Sequence, residues 1–186
     1  MHIIITASPN TDGLTAACAK AAADGLNKSK TRWEHYDLCA GKINPCLVCG
    51  NGWGVCLETA KCAVDDMLNE IQLRTRGADG LILITPVYWG QPSERMKYFL
   101  DRFRRCEAFS KVGSAAKGKQ IDLIAAAGGS GNGTATCLSE METWCRHVGA
   151  VPKDRIGITR FNREPMLEVI SNMATRLADG DYFKGF

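Results

Sequence analysis

The chain has 186 residues, 45% of them hydrophobic, with 23 Lys and Arg against 20 Asp and Glu for a formal charge of +3. That length suits a single domain, residues 1–186, with a sizeable core, and no stretch reaches the roughly 18 consecutive apolar residues of a membrane span. The basic residues are few and scattered, which argues against a nucleic-acid partner, and residues 3–7 are a short apolar stretch without a basic leader, so the cytoplasm is the expected compartment.

The chain opens on His2-Ile3-Ile4-Ile5, a short apolar strand, and passes into Ser8-Pro9-Asn10-Thr11-Asp12-Gly13-Leu14-Thr15 before a helix with apolar positions at Leu14, Ala17, Cys18 and Ala21. A loop dense in hydroxyls and backbone N–H groups at a helix start suits one phosphate, because the helix dipole and the unpaired donors both point at it. The plainer alternative is that Ser8, Thr11 and Asp12 only cap the helix. A second strand is expected near residues 31–38, then a cysteine-rich loop, then a helix over about residues 65–76.

Leu81-Ile82-Leu83-Ile84 is apolar at every position, as befits a parallel strand covered on both faces, and Pro86 is expected to end its ladder. Thr85-Pro86-Val87-Tyr88-Trp89-Gly90 follows and then an amphipathic helix, whose Arg102, Arg104 and Arg105 are expected on a solvated face. Tyr88 and Trp89 would stand at the carboxyl end of a strand, where they offer an apolar wall for a planar ring such as a flavin. Next come a strand at residues 120–127 ending in Gly128-Gly129, a helix with Leu138, Met141, Cys145 and Val148 at helical offsets, a strand near residues 155–159, and a last helix with Met166, Val169, Ile170, Met173 and Leu177.

Five strands alternating with five helices predict an α/β fold, a three-layer sandwich around a five-stranded parallel sheet. The flavodoxin-like strand order 2-1-3-4-5 would place a ligand at the switch point between the first and third strands, whose loops are the two described above.

The first loop, the 85–90 loop with Met96-Lys97-Tyr98-Phe99-Leu100-Asp101-Arg102 behind it, and the Gly128-Gly129 turn together resemble the NADPH-dependent FMN reductase family. Pro45-Cys46-Leu47-Val48-Cys49 and Cys62-Ala63-Val64-Asp65-Asp66-Met67 are similar, more narrowly, to the branch that contains the iron–sulfur flavoproteins. The resemblance implies an FMN phosphate on Ser8, Asn10, Gly13, Leu14 and Thr15, and an isoalloxazine held by Pro86, Val87, Tyr88, Trp89 and Gly90 and by Gly128 and Gly129. It implies NAD(P)H as co-substrate and a homodimer or homotetramer with each flavin near a subunit boundary. Asn10 stands where the family often has a basic residue, which shifts phosphate neutralisation towards backbone and hydroxyl donors.

The chain has nine cysteines, an odd number that speaks against a disulfide framework. Cys46, Cys49, Cys56 and Cys62 cluster with two, six and five residues between them. Glycines in the 50–55 insertion would allow the loop to fold back, so that four thiolates could converge on a [4Fe–4S] cluster or on tetrahedral zinc. The spacing matches no standard ligand signature, so four reduced thiols in an interface loop are the expectation, with the cluster as the alternative. The loop is expected beside the flavin because it follows the second strand. Cys18, Cys106, Cys137 and Cys145 fall on apolar helix stripes and read as core.

Other catalytic readings fail on spacing. Gly128-Gly129-Ser130-Gly131-Asn132 lacks the final glycine of a nucleophile elbow, Thr134 breaks a dinucleotide fingerprint, and His2, His35 and His147 are isolated. No catalytic side chain is expected, since hydride transfer to a flavin is the cofactor's own chemistry. Two functions follow. One is an enzyme that passes electrons from NAD(P)H through FMN to a small-molecule acceptor such as a flavin, a quinone or a nitro compound; the other is an electron carrier with no nicotinamide step. The slightly basic charge favours the enzyme, because carriers of that kind are usually acidic.

Overall fold

In the computed structural model of the chain, residues 1–109, 111 and 113–180 are described; residues 181–186, which the single-domain expectation included, lie outside them. The elements run β1 (His2–Thr6), α1 (Leu14–Lys28), β2 (Trp33–Asp37), α2 (Val55–Thr59), α3 (Met67–Gly77), β3 (Gly80–Tyr88), β4 (Gln91–Pro92), α4 (Glu94–Glu107), β5 (Gln120–Ala127), α5 (Thr134–Val148), β6 (Val151–Thr159) and α6 (Arg163–Asp179). The sheet order is β2-β1-β3-β5-β6, parallel throughout, with β4 paired antiparallel to β3. Leaving out the two-residue β4, this is the expected order of five parallel strands.

The apolar runs explain why the sheet is covered on both faces. Along β1, β3 and β5, Ile3, Ile5, Leu81, Leu83, Ile121 and Leu123 enter the core built with α3, α4 and α5, around Phe99, Phe103 and Trp144. Their neighbours Ile4, Ile82, Ile84 and Ile124 enter the core shared with α1 and α6, against Cys18, Leu26, Ile170 and Met173. Successive side chains point to opposite faces, so a run apolar at every position buries both. Val169, assigned to the inner stripe of α6 by spacing, is exposed.

Three expectations are corrected. Pro86 does not end β3: its Cα stays in register with Ala126 of β5, and the strand continues to Tyr88, where the chain doubles back on itself. Tyr88 pairs with Gln91 across Trp89 and Gly90, both at positive φ (53° and 79°), the backbone of a type I′ hairpin. Although Pro86 has no N–H to give, pairing with β5 reaches it and pairing with β4 continues beyond it. The cysteine loop contains a helical turn, α2, that period and propensity did not announce. Arg102 is 1% exposed and not on a solvated face.

Candidate functional site: a three-loop edge and a cysteine pocket

The loop after β1 is built to leave a helix start open. Ser8 Oγ accepts the N–H of Asn10 (3.2 Å), and Asn10 Oδ1 accepts the N–H of Asp12 (3.2 Å), so these side chains turn back on their own loop. The N-cap of α1 is Gly13, with no side-chain bond to the helix and no acidic residue in the first turn. The simple capping alternative is therefore not what the loop does, and the first donors of α1 face an uncapped end. Thr15 lies at the base of the loop, 3% exposed, and Leu14 packs on the core. A cleft of about 370 Å³ runs from Ser8, Asn10, Thr11 and Thr15 along α1 to Trp33 and His35 on β2. His35 lies 2.9 Å from Thr6 Oγ1, and burial holds its pKa below the ordinary value against the pull of Asp37.

The second loop is tied to the first through one serine. Ser93, the N-cap of α4, donates its hydroxyl to the carbonyl of Ala7 (2.7 Å), and its N–H goes to Thr85 Oγ1 (3.0 Å). Ala7, Pro9, Tyr88, Ser93, Glu94 and Arg95 then line one cleft of about 310 Å³. Cys39 lines it too, a residue that the cysteine spacing left out of account because it stands apart from the cluster of four. Burial, and then Asp37, push its thiol above the ordinary value, opposed by Arg95. Trp89, at the hairpin tip, is fully exposed, while Tyr88 is partly exposed beside the cleft.

The third loop closes on the second. Gly133 presses on Gly90, where an added Cβ would come within 2.7 Å of the Gly90 Cα, and Thr136 Oγ1 donates to the Gly90 carbonyl (2.9 Å). At Gly128 and Gly129 an added Cβ would meet nothing within 4 Å and neither has a positive φ, so no packing of the chain itself calls for glycine there. A surface bare of side chains suits the close approach of a ligand to the backbone. The expected residues of the three loops thus stand along one edge, the carboxyl ends of β1, β3 and β5.

Cys46, Cys49, Cys56 and Cys62 line a single small pocket, with Arg102, Arg105 and Cys106 among its other walls. The glycine-rich insertion folds back as anticipated, through positive φ at Gly50 and Gly52, and α2 carries Cys56 towards the others. Cys106, read as plain core, is buried but forms part of this wall; burial first, then Cys62 and Cys56, push its thiol up to about 12. Among the described residues no group of three His, Cys, Asp or Glu side chains is close enough to grip a single ion. A [4Fe–4S] cube spreads its four ligands around a larger body than one ion, and the donor set, all thiols without a carboxylate or imidazole, is the soft kind such a cube takes. The all-thiol lining is chemically suited to iron and sulfide, and among the described residues no group grips a zinc ion.

Arg102 holds this loop. Its guanidinium donates to Cys62 Sγ (3.3 Å), to the carbonyls of Asn44 (3.0 Å) and Val64 (3.2 Å), and to Asp66 Oδ2 (2.6 Å). Burial pushes the Asp66 carboxyl up, but bonds from Arg102 and from the N–H groups of Asn44 and Leu68 outweigh it and hold it below the usual carboxylate range. Arg105 donates to the Gly52 carbonyl and stacks over Trp53, 5.0 Å from the ring centroid. Arg95 binds the Ile43 carbonyl, so α4 grips the loop at several points while its first turn borders the cleft of the three loops.

The family model for NADPH-dependent FMN reductase matches residues 2–159. An iron–sulfur flavoprotein of Methanocaldococcus jannaschii is 27% identical over 140 residues, 75% of this chain and 68% of that protein. Another, of Methanosarcina thermophila, is 26% identical over 137 residues, 72% of this chain and 68% of its own length. Among solved structures, an NAD(P)H:quinone oxidoreductase from Methanothermobacter marburgensis superposes with a TM-score of 0.72 at 19% identity, over 95% of this chain and 96% of that one, a likeness of fold. With the family model spanning both loop-bearing strands and the cysteine loop between them, the chain belongs to the NADPH-dependent FMN reductase family.

Proposed function

We propose that the chain works as one flavodoxin-like domain that binds FMN, takes reducing equivalents from NAD(P)H and delivers them to a small-molecule acceptor. The observation that supports this best is the meeting of three loops at one sheet edge around an uncapped helix start. In this reading the first N–H groups of α1, with Ser8, Asn10, Gly13 and Thr15, hold the phosphate, and Leu14 anchors the turn in the core. Pro86, Val87, Tyr88, Trp89 and Gly90 wall the ring, and the bare backbone at Gly128 and Gly129 admits its edge. FMN, when bound, supplies the hydride acceptor. The protein supplies binding, orientation and exclusion of water, and no side chain is assigned a proton to move. A homodimer or homotetramer would cover the exposed Trp89.

Titration of the flavin-free protein with FMN, followed by steady-state NAD(P)H oxidation with an artificial acceptor, tests the reading. Stoichiometric FMN and sustained oxidation are expected. Failure to bind FMN refutes the site; FMN binding without NAD(P)H oxidation leaves an electron carrier.

A second reading is favoured by one observation, the convergence of four cysteines on one pocket despite their irregular spacing. The chain would then carry a [4Fe–4S] cluster on Cys46, Cys49, Cys56 and Cys62 as well as FMN. Anaerobic purification with iron and sulfide assay distinguishes the two. About four irons per chain, lost in Cys49→Ser or Cys56→Ser, supports the cluster; an iron-free protein whose FMN and NAD(P)H oxidation survive both substitutions supports the simple reductase.

A further inference from the structure

We infer that Arg102, paired with Asp66, is the residue that positions the cysteine pocket and sets the redox potential of the cluster it holds. The inference rests on the second reading above, that Cys46, Cys49, Cys56 and Cys62 bind iron and sulfide. Most of the pocket is irregular chain, and within it one guanidinium collects four partners: Cys62 Sγ and the Asn44 and Val64 carbonyls, with Asp66 as counter-charge. The Arg102 and Asp66 side chains are 0% and 7% exposed, so solvent screens the pair little. The cation is therefore neutralised by its carboxylate, and what reaches the sulfur is mainly an oriented N–H donor. Hydrogen bonds to ligand sulfurs favour the reduced, more negative state of an iron–sulfur cluster, and so does net positive charge nearby.

The same helix places the flavin loops. Ser93, which binds both Thr85 and Ala7, lies nine residues before Arg102, roughly 14 Å along α4 at the standard helical rise. One rigid element thus carries the start of the flavin-side cleft at one point and the grip on the cysteine loop at another. Arg102 acts through Cys62 and the loop backbone; it is a positioning residue, not a catalytic one.

This pairing makes opposite-signed predictions. Asp66→Asn keeps a side-chain oxygen to cap α3 but leaves the Arg102 charge unopposed, so the cluster midpoint potential should rise. Arg102→Met with Asp66→Asn removes both charges together, avoiding a lone buried carboxylate, and deletes the N–H donor to Cys62; its potential should fall below that of the parent. The experiment is anaerobic reconstitution with iron and sulfide, then potentiometric titration monitored by electron paramagnetic resonance, with FMN content and far-UV circular dichroism measured on each protein. Potentials in the order Asp66→Asn above parent above double variant support the inference. So does loss of iron from the double variant alone while FMN content and circular dichroism stay at parental values. Iron-loaded proteins with equal potentials overturn it and leave the cluster reading standing. A parent that takes up no iron on reconstitution refutes the cluster reading and the inference with it.

Discussion

The three-loop edge and the cysteine pocket are built on opposite principles. The edge inherits its position from secondary structure: each loop leaves the end of a parallel strand whose neighbours are registered by the ladder, and the ties among the loops are mostly backbone contacts or bonds to backbone, Ser93 to Ala7 and Thr136 to Gly90. The pocket is positioned by side chains. Between β2 and α3 only the short α2 is regular, and Arg102, Arg105 and Arg95 reach across from α4 to hold the rest. A site built on a sheet edge is spread over many weak determinants, whereas one held by a buried guanidinium depends heavily on a single residue.

The largest expected effect breaks the second kind of construction. Arg102→Met alone leaves Asp66 buried without its counter-charge and should lower stability by about 3–5 kcal/mol, measured by urea unfolding, with the loss falling on the cysteine loop and α3 in hydrogen exchange. A change below 1 kcal/mol on the same scale would show that the loop is held elsewhere. The pair also has a pH signature. Because the folded pKa of Asp66 lies below its ordinary value, its contribution is present at pH well above the ordinary carboxylate range and is lost as pH falls through the depressed value. Asp66→Asn should therefore flatten the acid limb of the stability curve, and its cost relative to the parent should be constant at neutral pH.

The edge should yield by smaller steps. Ser8→Ala with Thr15→Ala should weaken FMN by about 1–3 kcal/mol, the range for lost bonds to a charged group, with stability little changed because backbone donors remain. Flavin fluorescence titration measures it, and unaltered affinity would move the phosphate elsewhere. The smallest effect concerns Trp89. Its side chain is fully exposed and its φ is 53°, so Trp89→Gly relieves left-handed strain at no cost in packing and should raise stability by up to about 1 kcal/mol. The same substitution should alter flavin affinity or reduction rate if the indole walls the ring. A variant equal to the parent in both removes Trp89 from the site and leaves Tyr88, at 44% exposure, as the remaining aromatic.

How much was legible differs between the two regions for the same reason. Local signals are read from local sequence, and the three-loop edge is assembled from them: Ile3 to Ile5 and Leu81 to Ile84 announce strands, and their alternation with helices announces a parallel sheet, whose order came from the flavodoxin-like pattern. Even there Pro86 misled, because a proline's cost to a ladder says nothing of the hairpin that continues beyond it. The cysteine pocket was legible only as composition. Its spacing matched no signature because a cluster's ligands need common space and not common period, and α2 and two positive-φ glycines supply that space.

The amino-acid order by itself determined the parallel sheet, its two covered faces and the loops that end its central strands, since hydrophobic periodicity and turn chemistry act over a few residues. Only the tertiary structure decided the fate of Arg102 and Cys39. An arginine three residues past Phe99 on an amphipathic helix is solvated or buried according to whether acceptors arrive from elsewhere; here Asn44, Cys62, Val64 and Asp66 come from a loop some forty to sixty residues away to meet it. Cys39 enters the cleft with Tyr88 because β2 lies next to β1 in the sheet. Burial of a charge is a property of its partners, and partners that distant in sequence leave no trace in the local pattern.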